Sequence, residues 1–493
     1  MKKSFAFILF IFSGTISVFC QEAMTLGKAM DIALRNSPVL IQSKIALQQN
    51  RLNLKAQQSL LKSQFSLDLN PFNYNRSYIY DSRTAEWFTS ESMNSSGTFG
   101  ISQPIKWTDG TVSLVNTLSW QKASNTSSDI SNTSFRNNLG IRIDQPIFTY
   151  NKTKMRLKEL EYSLETAKLN YVIQQLSVEK RVTASFYDVY QKQQQWHIAK
   201  EEYRNQQQNY EIIKNKVEAG LIPREELFQA EVNLASGESA LYSGQINYDN
   251  IRDNFKLLLG LPLDAEIVVL PDTSVDSIRI DPDKAVREGL RQRLEIRNRE
   301  ISIERGVFDL VRAKAENEFK GNISAEFGIS GLSDKFNKIY DNSTNNQNIG
   351  LKLTVPIWDW GAKKARVKSS ELGMQSDKIN LEEEKKSIVL NIRQLCRNLP
   401  VLEKQLRIAQ KNIENAQRTY EINTEKYRNG SLTGIQLQQY QTQLTQKKQA
   451  YINAIISYKL ELLDLKIQSL WDFSNGTSYL DEKLKIISVD SSL

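Results

Sequence analysis

"NLGIRIDQPIFTY" occupies residues 138–150, and "NIGLKLTVPIWDW" occupies residues 348–360. Each alternates apolar with polar residues, reaches a Pro-Ile pair and closes on aromatic side chains. Laid over one another without a gap, residues 138–158 and 348–368 are identical at seven positions, among them Gly140/Gly350, Pro146/Pro356 and Arg156/Arg366. The offset of 210 still holds where "YEIIKNKVEAG" from Tyr210 meets "YEINTEKYRNG" from Tyr420. An unbroken offset over about 80 residues marks two copies of one structural unit. Nearer the start of each copy the offset is 256, with "KAMDIALRNSPVL" from Lys28 facing "KAVREGLRQRLEI" from Lys284. The first copy therefore carries a surplus of 46 residues between Phe72 and Asn138.

The phrase itself reads as a strand. Leu139, Ile141 and Ile143 alternate with Gly140, Arg142 and Asp144, and Ile349, Leu351, Leu353 and Val355 alternate with Gly350, Lys352 and Thr354. A partner strand precedes each: Phe65, Leu67 and Leu69 in the first copy, and Ile323, Ala325, Phe327 and Ile329 in the second. Period two gives one apolar and one polar face. A soluble sheet would cover that apolar face with a core. A membrane barrel would leave it to lipid, and two features favour the barrel. The strands approach the ~9–11 residues of a tilted transmembrane strand. Aromatic residues (Phe72, Tyr74, Tyr78, Tyr80, Trp107, Phe148, Tyr150, Trp358 and Trp360) crowd the strand ends like the girdles of outer-membrane barrels. In a barrel Asp68, Arg142, Asp144, Glu326 and Lys352 would face the lumen. The surplus segment offers a hairpin, Phe99–Trp107 and Val112–Trp120, which raises four clear strands to six at most. Barrels begin at about eight strands, and an open edge in lipid is prohibitively costly, so several chains must pool their strands.

After each phrase comes a long helix. Leu157, Leu164, Tyr171 and Val178 are spaced by seven; after a step of four, Val182, Val189, Trp196, Tyr203, Tyr210 and Val217 resume the sevens. The second copy keeps this register through Val367, Met374, Leu381, Ile388, Ile392, Leu399, Leu406, Ile413, Tyr420 and Tyr427. Heptads with one inserted four form a coiled-coil seam with a stutter. Pro146–Gly220 and Pro356–Gly430 each span 74 residues, and a helix of that length runs to roughly 100 Å. Pro400 falls inside the second, where it favours a kink. Half-length helices are expected over residues 25–62, 222–259, 282–319 and 432–470, so that two stacked end to end match one long one. Gly220 and Gly430 mark the turns between long and short helices. "QKQQQW", "NQQQNY" and "QLQQYQTQLTQKKQ" surround the seam with uncharged amides. That composition fits either an exposed coiled-coil surface or a wall wetted on both sides.

The chain opens as an exported protein does. Lys2-Lys3 precedes an apolar stretch from Phe5 to Phe12, and polarity returns at Gln21-Glu22, which reads as a secretory signal. Cys20 is expected either to leave with the signal or, as the rival reading, to carry a lipid. Its removal leaves Cys396 alone, with no intramolecular disulfide. No run of 18 apolar residues occurs, and mean hydropathy is −0.46. The net charge of +8 arises from 64 basic residues scattered among 56 acids, a solvated surface and not a nucleic-acid patch. Export disfavours nucleic acid as a partner too. The single His197 lies beside the seam residue Trp196, and no metal cluster, phosphate-binding loop or nucleophile elbow is present, so neither catalysis, metal nor cofactor is expected. The reading divides the chain into a signal peptide (1–20), a first repeat (21–270, with an extra insert at about 73–137), a second repeat (271–475) and a C-terminal tail (476–493). A secreted trimeric coiled-coil adhesin or structural envelope protein is the alternative. It explains secretion and heptads, but not the duplicated half-length helices or the alternating strands.

Several stretches together resemble the TolC-like outer membrane efflux proteins. "LGKAMDIALRNSPVLIQSK" resembles that family's first helix and "GLRQRLEIRNREISIERGVFDLVRAKAE" its counterpart in the second repeat. "KLLLGLP" at 256–262 matches the close of the first repeat. "GLIPREELFQAE" at 220–231, with Glu226, Leu227 and Ala230, resembles a helical-hairpin tip, and "GSLTGIQLQQYQ" at 430–441 is a looser copy. The resemblance implies a mainly α fold with a transmembrane β-barrel portion. It implies a homotrimer whose twelve-strand barrel sits in outer-membrane lipid above a periplasmic α-helical barrel. It further implies a passive duct of a tripartite efflux or type I secretion system. Its tips (Gly220, Leu221, Glu226, Gly430, Ser431 and Leu432) would meet a periplasmic adaptor (membrane fusion) protein and, through it, an inner-membrane pump of RND or ABC type. Glu421 and Glu425 would occupy the periplasmic entrance constriction, where tripled carboxylates concentrate cations.

Overall fold

A computed structural model describes residues 22–82, 85–125, 130–275, 278–341 and 343–480. The expected signal peptide, with Cys20, lies outside the described residues, as does most of the expected C-terminal tail. The chain runs through β1 (Glu22–Met24), α1 (Leu26–Asn36), α2 (Pro38–Ser59), β2 (Gln64–Asp81), β3 (Glu86–Ile105), β4 (Gly110–Asn125), β5 (Ile130–Ile147), α3 (Lys152–Glu218), α4 (Arg224–Leu259) and β6 (Ile267–Val269). It then passes through α5 (Pro282–Gln292), α6 (Leu294–Ala315), β7 (Lys320–Ser333), β8 (Thr344–Thr354), α7 (Ala362–Arg428), α8 (Gly434–Ser469), β9 (Trp471–Asp472) and β10 (Thr477–Ser478). Two compact units emerge: one holds the residues up to Ser43, Tyr171–Arg293 and those from Ser387 on, and the other holds Lys44–Asn170 and Leu294–Lys386.

The duplication shows in the helix lengths. α3 and α7 are 67 residues each, and α4 and α8 are 36 each. The seam residues Val178, Val182 and Val189, and likewise Ile388, Ile392, Leu399 and Leu406, are buried. α7 runs without interruption through Pro400, whose missing N–H removes one backbone bond without ending the helix. The pieces expected as single helices over 25–62 and 282–319 are each broken in two. The breaks fall at Ser37 (φ −61°, ψ 119°) and Arg293 (φ −63°, ψ 123°), 256 residues apart, the repeat offset of that region. Pro38 accounts for the first, because a residue before proline is pushed out of the helical region. Leu294 supplies no such push, yet the backbone takes the same step. In both, the cap N–H still donates to the carbonyl four residues back, Ala33 and Gly289 respectively.

In the first unit, Val178, Val182, Phe186 and Val189 of α3 pack with Phe255 and Leu259 of α4, Ala29 and Ala33 of α1, and Met24, Ile267 and Val269. The last three belong to a two-stranded parallel ladder of β1 on β6. Phe186 and Phe255 meet edge to face at 6.1 Å. In the second unit, α6 is tied to the start of α3 by Arg297, whose Nε lies 2.7 Å from Glu165, while its Nη1 reaches Glu304 at 3.0 Å and Glu300 at 3.3 Å. The Tyr162 hydroxyl, which bonds to Glu304, is thereby pushed up to about 12.

The second unit also holds the sheet, in order β2-β3-β4-β5-β7-β8 with every neighbour antiparallel. The expected hairpin of the surplus segment exists, and its strands reach farther than 99–107 and 112–120, to Glu86 and Asn125; its second strand, β4, is the partner of the first phrase in β5, whereas the Phe65–Leu69 strand expected in that place pairs with β3. Three chains sharing one twelve-strand barrel contribute four strands each; this sheet has six. A register shift between Asn70 and Asn73 spans Pro71. Proline cannot donate to a ladder and is confined to bulges and edges within sheets. The extra residue keeps Tyr74, Tyr78 and Tyr80 on the same face as Phe65, Leu67 and Leu69. Among the described residues no strand pairs with the outer edge of β2 or of β8. No described helix is long and apolar enough to cross a membrane.

Candidate functional site

The register sorts the sheet into two faces. Phe65, Ile101, Leu114, Ile141 and Phe327 lie side by side across five strands, and beyond them Gln103, Val112, Ile143, Ala325 and Ile349 form a parallel row. Asn116 interrupts the row between Phe99 and Leu139. This face is bare: Phe65 is 68% exposed, Leu67 63% and Ile349 71%. Monomeric soluble proteins rarely leave so large an apolar patch uncovered. Aromatic rings stand at both strand ends. Tyr78 stacks on Trp87 at 5.2 Å at one end, and at the other Phe148 meets Phe319 at 5.0 Å and Trp358 meets Trp360 at 5.8 Å.

The opposite face gathers the polar residues singled out above. Asp68 pairs with Thr98, Arg142 with Glu326, Asp144 with Ser324, and Lys352 with Asn322, all on one side. Arg142 Nη2 lies 2.8 Å from Glu326 Oε2, joining the two repeats by an ion pair.

A second feature lies at the two helix turns of the first unit. α3 and α7 end alike. Gly220 (φ +69°) and Gly430 (φ +77°) take the left-handed conformation, the glycine N–H groups donate to Val217 and Tyr427, and Leu221 and Ser431 donate to Lys216 and Lys426 at 2.9 Å. A Cβ at either glycine would meet nothing within 4 Å, so the requirement is on φ alone. The turns pack on each other through Ile213, Ala230, Tyr427 and Leu437, with Leu432, Leu227 and Ile222 around them. Lys216 Nζ sits 4.8 Å over the Tyr427 ring. Of the expected tip residues, Gly220, Leu221, Gly430 and Ser431 are exposed, Leu221 to 72%, while Glu226 and Leu432 are half-buried. Beside them a cavity of about 280 Å³ is lined by Asn209, Glu226, Asn233, Tyr427 and Gln438.

Glu421 and Glu425 are exposed, one turn apart on α7. Glu421 accepts from Gln417 Nε2 at 2.7 Å, and Glu425 pairs with Arg428 at 2.9 Å. Arg428 thus accompanies the acids, which sequence spacing did not bring out. Two further features went unread. Thr433 and Gln436 form a capping box that starts α8; "TGIQ" carries its signature. Asp472, 6% exposed, lies 2.9 Å from Lys466 Nζ and accepts the Ser474 N–H at 2.8 Å. Burial pushes its carboxyl up, but Lys466 and the backbone N–H groups of Ser474 and Asn475 outweigh burial and hold it below the usual carboxylate value. That pairing depends on the β9–β10 hairpin, which no periodicity announces.

The outer membrane efflux protein family model matches residues 111–261 and 322–466, more than half the chain and in two copies. The chain resembles solved outer membrane channels along nearly its whole length. Campylobacter jejuni CmeC is 17% identical (TM-score 0.68, covering 91% of this chain and 88% of that one). Neisseria gonorrhoeae MtrE in its open state is 14% identical (TM-score 0.65, 90% and 88%). VceC of Vibrio cholerae is 13% identical (TM-score 0.64, 90% and 94%). No curated protein sequence matches the chain significantly. The adhesin alternative leaves the duplicated family match and the six-strand sheet unexplained. A bare apolar sheet face, a polar face behind it, paired long helices and the two-fold family match lead to one conclusion: the chain belongs to the outer membrane efflux protein family and is a channel subunit of the outer membrane, with its helical portion in the periplasm.

Proposed function

We propose that three copies of this chain pool their sheets into one barrel and their helices into a periplasmic tunnel, forming a passive exit duct that performs no chemistry of its own. The observation that carries this is the pair of open edges. Among the described residues β2 and β8 leave rows of N–H and C=O groups unpaired at the borders of a lipid-facing surface, and each such group left in hydrocarbon costs several kcal/mol. Pairing β8 of one copy with β2 of the next satisfies them along the length the two strands share, 11 residues of β8 against 18 of β2. In that ring Asp68, Arg142, Asp144, Glu326 and Lys352 face the lumen. Energy comes from an inner-membrane pump of RND or ABC type, reached through a periplasmic adaptor protein that grips the tips at Gly220–Leu221 and Gly430–Ser431. The exposed Leu221 is an anchor a partner can bury. Glu421 and Glu425, repeated three times, ring the periplasmic entrance and favour cations.

Native mass spectrometry of the detergent-solubilised protein, with conductance recording in planar bilayers, tests the assembly. A trimer that conducts is expected. A water-soluble monomer without channel activity would remove the proposal. For the partners, photo-crosslinkers at Leu221 should capture an adaptor in the native envelope, and crosslinkers on β3 should not.

A further inference from the structure

The sheet is larger than the repeat requires. Four of its strands are two copies of one hairpin: β4–β5 leads into α3 as β7–β8 leads into α7. Leu114 faces Ile141 and Ile323 faces Leu351, while Ile141 and Leu351 hold the same place in the repeated phrase. The family match begins at residue 111 in one copy and 322 in the other, inside β4 and inside β7. Gln64 of β2 and Lys320 of β7 share the 256 offset, but β4 pairs with β5 as β7 pairs with β8, so by pairing the match of β7 is β4, and among the described residues the β2–β3 hairpin is left without a counterpart in the second copy. It is also a closed excursion. Gln64 stands opposite Ser102, Ser63 Oγ donates to Gln103 Oε1 at 2.8 Å, and Gln103 Nε2 donates to the Leu61 carbonyl at 2.9 Å. The chain leaves into β2 and returns to within one strand spacing of its departure.

This hairpin is part of the wall and not a loop lying over it. β3 is in register with β4 from Ser90 opposite Asn125 to Ile105 opposite Gly110. Its apolar side chains continue the bare rows, with Phe65 beside Ile101 and Leu67 beside Phe99. Its other face pairs Ser66 with Gly100, Asp68 with Thr98, Asn70 with Ser96, Asn73 with Asn94, and Asn75 with Ser92. Apart from the Asp68 carboxylate, those are hydroxyls, amides and a glycine, and the face ends on Asp81 opposite Glu86.

The structure assigns β2–β3 as a two-strand panel added at the seam between copies, so that three chains close eighteen strands, with a wider lumen whose added wall is mostly hydroxyl and amide and carries only acidic charges. This rests on the three-copy assembly proposed above. An even number of strands per chain lets β8 meet the next β2 antiparallel, so the ring closes without a mismatch. At unchanged tilt, circumference follows strand number, giving about 1.5-fold the diameter and about 2.2-fold the cross-section of a twelve-strand ring, in the range where barrels hold an open aqueous channel. Such a lumen admits bulky hydrophilic solutes.

Electron microscopy of the full-length protein in lipid nanodiscs tests this, beside a variant that lacks Gln64–Gln103 and joins Ser63 to Pro104. Native mass spectrometry of the same samples counts the copies. Six strands per copy are expected in the full-length ring and four in the excised variant, with diameters in a ratio of about 1.5. A full-length ring of four strands per copy, with β2–β3 folded outside it, overturns the panel. A copy number other than three overturns the assembly, and strands per copy still decide the panel. Should the excised variant fail to assemble, the full-length map alone decides.

Discussion

Arg142 of β5 and Glu326 of β7 stand directly opposite one another, the guanidinium Nη2 2.8 Å from the carboxylate, and through them the first repeat meets the second on the polar face of the sheet. Both side chains are about half exposed, so the pair contributes at most about 1 kcal/mol to stability. In the proposed ring its weight falls on the field inside the lumen. Glu326→Gln leaves one unpaired positive charge per copy and should shift reversal potentials in a salt gradient toward anions. Arg142→Gln should shift them toward cations, and the double variant should return near the parent value. Identical potentials in all four proteins would place the pair away from the conducting path.

Leu139 and Asn138 are neighbours in sequence and belong to opposite faces of β5. Leu139→Arg puts a guanidinium into lipid, at a cost of about 2–4 kcal/mol per copy near the bilayer midplane. Asn138→Arg puts the same group into water. Heat-modifiable gel mobility should show loss of the assembled species for the first and its retention for the second. Equal assembly of both would contradict the assignment of faces.

Glu421→Ala with Glu425→Ala should lower cation preference without changing the assembly, because both carboxylates are exposed and hold only local partners. Arg428→Ala, which frees Glu425, should raise it. Unaltered selectivity in both variants takes these residues out of the entrance.

Gly220 and Gly430 have open space where a Cβ would stand, so an alanine there is strained by φ alone. Each Gly→Ala change should cost about 1–2 kcal/mol, and Gly→Asn less, since asparagine tolerates the left-handed region. Limited proteolysis at the tips would register the order Gly, Asn, Ala. An alanine variant as resistant as the parent would refute the strain argument.

Asp472 carries the pH dependence. Its folded pKa lies below the unfolded value of about 3.9, so its stabilisation is full above that pH and fades as pH falls through the folded value. Asp472→Asn weakens the bond to Lys466 and should cost about 1–3 kcal/mol at pH 7 in denaturant titrations. The difference from the parent should shrink below about pH 4. A deficit that persists unchanged in acid would point to packing and not charge.

Much of this architecture is written locally. The heptad seam gives the buried stripe of α3 and α7, since an apolar residue every seven positions returns to one helix face wherever the helix lies. Alternation within each strand set Asp68, Arg142, Asp144, Glu326 and Lys352 apart from their apolar neighbours for the same reason, and the ladder register gathers them on one face. Gly220 and Gly430 announced their turns through the one residue that bears positive φ without cost. The break at Ser37 could have been read from Pro38; its twin at Arg293 could not, because Leu294 is compatible with a helix.

What the residue order determined by itself was periodicity: two repeats, seam against surface, apolar against polar, and the conclusion that one chain has too few strands to close a pore. Tertiary structure settled the partners. Strand β3 between β2 and β4, the bulge at Asn70–Asn73, Lys216 over Tyr427 and Lys466 beside buried Asp472 all join residues whose meeting depends on how distant backbone hydrogen bonds and buried surface are satisfied together. A pattern of period two or seven is a property of neighbours along the chain. A pairing is a free-energy difference over the whole fold, and no short window of sequence contains it.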